Sequence, residues 1–213
     1  MIDRLTLSAL PEVQHGLVLM LHGGAERGTK PVDERSLAFR RTRAMFGSVA
    51  DDLVSAGIGV GLLQFRVKGW NAAPGRVPAP VADARAALAD LHADFPDQPI
   101  VLLGHSMGAR TAAWVADQPG VVGVVGLAPW FPHDDPVDAL AGKHLVAAHG
   151  RRDRITSAKA TRIFVQRAAG VADSVEFIDM GGLGHYMLRG INRWNQVAVS
   201  QSRAILDRVR EDR

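Results

Sequence analysis

The sequence predicts an α/β architecture, a mostly parallel sheet of about seven strands with helices on both faces. Apolar runs of strand length alternate along the chain with stretches of helical periodicity. Most of the runs are nearly continuous in Val, Ile and Leu, as suits strands covered on both sides. Loops rich in Pro and Gly follow two of them, at 71–80 and 129–136.

Strands are expected at 2–7, 17–21, 60–65, 100–103, 121–127, 145–148 and 175–178. Between the second and third, residues 36–56 read as a helix ended by Gly57. Val81, Ala84, Leu88, Leu91 and Phe95 recur at helical spacing, and that helix must stop before Pro96, which lacks an N–H and restricts the residue ahead of it. Further helices are expected at 107–117, ahead of Pro119-Gly120, at 157–169, and from Ile191 onward, where Trp194, Ala198, Ile205 and Val209 mark one face. With no repeat, low-complexity tract or linker in view, residues 1–213 read as a single domain.

Composition removes several classes of function. The chain has no cysteine, so disulfides, cysteine-ligated zinc, iron–sulfur clusters and thiol nucleophiles are excluded. Its formal charge is only +3, too weak an excess to argue for nucleic acid. Arg35, Arg40, Arg41 and Arg43 form a local cluster that reads as a solvated helix face. Met1-Ile2-Asp3-Arg4-Leu5 carries an acid and a base where a secretory signal needs an apolar stretch, and no segment approaches the length of a membrane span. The expectation is a cytoplasmic protein acting on a small molecule, away from membranes and nucleic acid.

The chemistry should lie beyond the carboxyl ends of the strands, where the loops of an open parallel sheet meet. There, Gly104-His105-Ser106-Met107-Gly108 joins an apolar strand to a helix of small residues. This is G-x-S-x-G in its required context: glycines permit a sharp turn that projects the serine hydroxyl above the sheet. A serine hydroxyl needs a base, and the base an orienting acid. Asp153 follows the strand at 145–148, and His185 lies in the glycine-rich loop past 175–178, so the order is nucleophile, acid, histidine. Asp134 and Asp135 are the reserve carboxylates. Of the other histidines, His22, His105 and His149 abut glycines near strand ends and read as packed, hydrogen-bonded supports. His15, His92, His133 and His144 read as surface residues.

Acyl transfer builds an oxyanion that preorganised donors must meet. Residues 17–21 run into His22-Gly23-Gly24-Ala25, where the backbone can approach a ligand closely. The N–H of Met107 and that of Gly24 or Ala25 are the expected donors.

Through LMLHGG, GHSMGA, HGRRD and GHYM, in that order and spread over nearly the whole chain, the sequence resembles the α/β-hydrolase superfamily. Small esterases and dienelactone-hydrolase-like members are the nearest in kind. The resemblance implies a three-layer fold, a Ser106, His185, Asp153 triad and an oxyanion hole of Gly24 or Ala25 with Met107, working without a cofactor or metal. Only sixteen residues precede the LMLHGG strand, which implies a single strand in place of the usual antiparallel hairpin. Too few residues separate 127 from 145 for a helical cap domain, so the site should be open.

Arg66 and Lys68, just past the third expected strand, either orient a substrate carboxylate or phosphate or form an ion pair that holds their loop. Trp130 and Phe131 either wall the pocket or pack beneath their loop. The first expectation is a serine hydrolase cleaving a small carboxylic ester, thioester or lactone through an acyl-enzyme. The alternatives are an acyltransferase using the same intermediate and a non-catalytic binding protein that keeps the fold.

Overall fold

The computed structural model describes residues 4–212. Seven strands form one sheet: β1 (Leu5–Leu7), β2 (Gly16–Leu21), β3 (Ile58–Leu63), β4 (Ile100–His105), β5 (Val121–Leu127), β6 (His144–His149) and β7 (Ser174–Asp179). Their order is β1-β3-β2-β4-β5-β6-β7, with β1 antiparallel to β3 and every other neighbouring pair parallel. The single antiparallel strand is thus present as expected, although Ile2 and Asp3 of its expected span lie outside the described residues. Every residue of β2, β3, β4 and β6 is buried, which explains their unbroken apolar character.

The helices are α1 (Leu37–Ser55), α2 (Ala79–Asp94), α3 (Met107–Trp114), α4 (Ala158–Ala168) and α5 (Ile191–Glu211). From β2 the chain crosses one way to β3, then back over β2 to β4, and right-handed crossovers place α1 and α2 on opposite faces. In keeping with this, α1 packs on α5 and α2 on α3, while α4 covers β6 and β7. The chain therefore reverses its winding between β2 and β4, and the loops leaving those two strands open a crevice.

The bounds of β3, β6 and α3 differ from expectation for local reasons. β3 starts at Ile58 and ends at Leu63, because Gly59 and Gly61 hide the start of an otherwise apolar run. β6 begins at His144, which is buried rather than on the surface, its Nδ1 2.8 Å from Ser174 Oγ. α3 stops at Trp114: the Val115 amide is shared between the carbonyls of Thr111 and Ala112, and the chain tightens into turns ahead of Pro119. Between β5 and β6 there is one short 3-10 turn, Asp138–Leu140, and no cap helix. No helix among the described residues is long and apolar enough to cross a membrane.

The helix after Ser106, α3, sits unusually close to the sheet. A Cβ at Gly108 would press into the backbone carbonyl of Leu21, at the end of β2, and one at Gly104 would meet the backbone of Gly108 and Ala109. Backbone cannot rotate away as a side chain can. Gly108→Ala is therefore expected to lower stability by about 1–3 kcal/mol, the usual cost of overpacking, read as a fall in the urea midpoint. An unchanged midpoint would contradict this docking of α3.

Candidate active site

Ser106 occupies the turn from β4 into α3 with φ 54° and ψ −114°, a backbone conformation that is rare for a residue with a Cβ. Its own hydrogen bonds hold it there. The Ser106 amide donates to the Leu127 carbonyl (3.1 Å), and its carbonyl accepts from the amides of Ala109 (3.1 Å) and Trp130 (3.2 Å). The hydroxyl makes no hydrogen bond among the described residues, so it is held in position without being engaged.

Asp153 lies in the loop between β6 and α4 with a side chain only 1% exposed. Its Oδ1 accepts from the amides of Ile155 and Thr156, both at 2.8 Å. Its Oδ2 accepts from His185 Nδ1 at 2.8 Å, from Thr156 Oγ1 at 2.9 Å and from His149 Nε2 at 3.0 Å. Burial alone would raise this carboxyl's pKa, but hydrogen bonds from His149, His185, Thr156 and Ile155 outweigh it and hold it far below the usual carboxylate range. A fixed negative charge results.

His185 follows β7 in a loop tied to the Asp153 loop, the Arg151 amide donating to Gly181 and the Arg152 amide to Leu183. Because Nδ1–H donates to Asp153, the proton-free nitrogen is Nε2. The loop is also tied to β4, the strand that leads into Ser106. His105 Nε2 donates to the His185 carbonyl at 3.0 Å, with the two rings 5.0 Å apart. His105 directly precedes Ser106, so one side chain couples the neighbour of Ser106 to the backbone of His185. The three predicted residues, Ser106, Asp153 and His185, thus gather at one rim of the sheet.

On the other side of Ser106, Gly23 and Gly24 lie so near that a Cβ on Gly23 would sit 3.4 Å from Ser106 Cβ, and one on Gly24 2.6 Å from Met107 Sδ. Of the two expected donors in this loop, the Ala25 amide is already engaged, donating to the Lys68 carbonyl at 2.9 Å. The amides of Gly24 and Met107 make no hydrogen bond among the described residues. His22 sets the turn: its Nδ1 donates to the Gly23 carbonyl at 2.6 Å, and its Nε2 accepts from the Phe65 amide at 3.0 Å.

Other candidates fall elsewhere. Asp135 is buried in a bidentate ion pair with Arg110, both contacts at 2.6 Å, and is not free to orient a histidine. Asp134 is exposed. Arg66 donates to the buried Asp83 through Nε (2.5 Å) and through its amide (2.7 Å), the ion-pair alternative for this loop. Lys68 lines a cavity of about 340 Å³ with Gly23, Gly24 and Arg35. Trp130 is half-buried and, with Trp70, sandwiches the Arg110 guanidinium at 4.3 and 4.1 Å. Phe131 is buried and stacked on Phe164.

Sequence order alone did not single out His149 and Thr156 as partners of Asp153. The signals were present in the i, i+4 spacing of His149 to Asp153 and the Thr three residues on. Since both histidines donate to Asp153, their facing nitrogens carry protons and cannot bind a metal, and no group of three or more metal-binding side chains converges among the described residues.

Burial lowers His22 to about 4 and, with the charge of His185 adding to burial, His105 to about 3, from an ordinary 6.5. Both rings stay neutral in the fold at pH values where the unfolded chain protonates them. Their contribution is therefore fully present above about pH 6.5 and is lost as the pH falls toward 4 and 3, by about 1.4 kcal/mol per pH unit for each ring. Unfolding in urea at pH 7.5 and pH 5 should show stability about 2–4 kcal/mol lower at pH 5. Equal stabilities would show that these rings are not buried neutral.

Sequence and structure comparisons extend this geometry. The family model described as serine aminopeptidase, S33, matches residues 12–148, a span that includes Gly24, Ser106 and Met107 but stops short of Asp153 and His185. Among curated proteins, none matches the sequence. An α/β serine hydrolase homologue from Coxiella burnetii is 17% identical with a TM-score of 0.67, over 92% of this chain and 90% of its own. A thermophilic esterase from Thermogutta terrifontis, propionate-bound, is 16% identical with a TM-score of 0.71, over 96% and 89%. A serine hydrolase without a lid from Xanthomonas campestris is 18% identical with a TM-score of 0.65, over 92% and 88%.

Proposed function

From the premise that this chain belongs to the S33 serine aminopeptidase family of α/β hydrolases, we propose that it cleaves a small carboxylic ester through an acyl-enzyme formed on Ser106. The observation that carries the proposal is the His185–Asp153 hydrogen bond, buried at the same rim as a strained, unengaged serine. Residues 1–213 act as one domain in this reading.

Ser106 Oγ attacks the ester carbonyl while His185 Nε2 takes the hydroxyl proton. Asp153 fixes the tautomer and stabilises the imidazolium. Negative charge gathers on the carbonyl oxygen, where the amides of Met107 and Gly24 donate to it. The C–O bond to the leaving group breaks, and the alcohol departs with the proton from His185. Water then gives its proton to His185 and attacks the acyl carbon, releasing the acid and restoring the serine.

Amide bonds yield to the same machinery, and the family's description names an aminopeptidase. Recognition of a free amino terminus calls for a carboxylate near the reacting serine. The cavity at Gly23 and Gly24 instead presents Arg35 and Lys68, with no Asp or Glu in its lining, and the nearby Asp33 is paired with Lys68 at 3.9 Å. That favours a neutral or anionic ester.

A fluorophosphonate should label folded wild-type protein on Ser106, and Ser106→Ala should be neither labelled nor active on short 4-nitrophenyl esters. Absence of labelling in folded wild type overturns the proposal. Asp153→Asn should lower kcat by about 10³–10⁴, because the neutral amide no longer holds the required tautomer. A loss below tenfold would remove Asp153 from this role.

A further inference from the structure

We propose that the groove between α1 and the start of α5 receives an acyl chain ending in a carboxylate, and that Arg41 selects it. This rests on the ester-hydrolase reading above, which sets where the reacting carbonyl lies, and adds the substrate class.

The groove has a volume of about 400 Å³. Leu37 and Met45 of α1 form one wall, and Leu188, Ile191 and Trp194 the other. Leu37, Leu188 and Ile191 are 70%, 69% and 52% exposed, a concentration of large apolar side chains around one opening. It adjoins the reaction centre on two sides. Leu188 is three residues past His185, and Leu37 also lines the cavity at Gly23 and Gly24. A chain whose carbonyl meets the Gly24 and Met107 amides can pass over Leu37 into the groove.

Charge decides what the far end of that chain carries. Arg41 lies with its guanidinium 4.8 Å from the centre of the Tyr186 ring, and Tyr186 is 5.4 Å from the His185 ring. Arg41 Nε is buried and has no hydrogen-bond partner, and no ion pair of Arg41 is formed among the described residues. Trp194 Nε1, on the opposite wall, is likewise a buried donor with no acceptor. No Asp or Glu lines the groove, and Arg40 adds a second cation.

Arg110 provides the contrast. It is buried near Ser106, and two of its three guanidinium nitrogens, Nε and Nη2, are met by Asp135. Arg43, close to Arg41 in sequence, pairs with Glu34. Leaving a buried donor unmatched is costly. The Nε atoms of Arg4 and Arg85 are unmatched as well, but of the three only Arg41 lines this apolar groove, which points to a partner that arrives with the ligand. A planar carboxylate fits a guanidinium, and the apolar walls fit the methylenes leading to it. The arginine cluster, expected to be a solvated helix face, thus has two members turned to a groove.

The test compares 4-nitrophenyl hexanoate with mono-4-nitrophenyl adipate, whose six-carbon acyl chains differ by a terminal carboxylate. Wild type should favour the adipate ester at least tenfold in kcat/KM, and Arg41→Leu should reduce that ratio at least tenfold, with Arg41→Lys retaining part of it. A wild-type ratio near one, or a ratio unmoved by Arg41→Leu, overturns the proposal. If Arg41→Leu does not fold, Arg41→Gln is read in the same way.

Calorimetric binding of monomethyl adipate and methyl hexanoate to Ser106→Ala separates this proposal from the one beneath it. Tighter binding of the adipate ester, lost on adding Arg41→Leu, supports the groove even if wild type hydrolyses neither ester, in which case the hydrolase reading alone falls. Hydrolysis of both esters with no preference, or equal binding of the two, removes the groove and leaves the hydrolase reading standing.

Discussion

The close contact between α3 and the ends of β2 and β4 is the constraint from which the site follows. Two glycines let helix backbone lie against strand backbone, and the chain between them turns so sharply that Ser106 adopts a conformation other side chains avoid. That turn aims the serine hydroxyl out of the sheet and leaves the first amide of α3 unpaired beside it. The same closeness brings Met107 against Gly24, so two loops far apart in sequence meet around one point. If α3 moved outward by the width of a methyl group, the serine, the free amide and the Gly24 loop would all lose their relation to one another.

Buried histidines supply much of the surrounding rigidity. His22 spans from the Gly23 carbonyl to the Phe65 amide, His105 holds the His185 backbone, and His149 bridges Asp153 and Thr161. Each can donate on one nitrogen and accept on the other, which suits a buried strut between backbone groups or between a carboxylate and a hydroxyl. The one buried charge at their centre, Asp153, is held by five hydrogen bonds. It stays ionised because donors are aimed at it from two loops.

Patterns local in sequence carried most of the fold. Unbroken apolar runs marked the sheet, helical spacing marked α2 and α5, and glycines around a serine at a strand end marked the turn. Asp153 and His185 were singled out by chain order because each follows an apolar run of strand length. What stayed hidden depends on contacts between distant segments. Nothing near Ala25 reveals that Lys68, more than forty residues on, takes its amide. Nothing near Arg66 or Arg110 reveals Asp83 or Asp135, and a cluster of arginines on one helix looks solvated until the opposite wall, from α5, is in place. Periodicity also failed where glycine interrupted β3 and where a shared hydrogen bond ended α3 early.

The short passage from β5 to β6 builds a single 3-10 turn and nothing that could fold over the rim. Under the proposed mechanism this segment would not shield the rim from water, and any other acceptor would have to outcompete water for the acyl group.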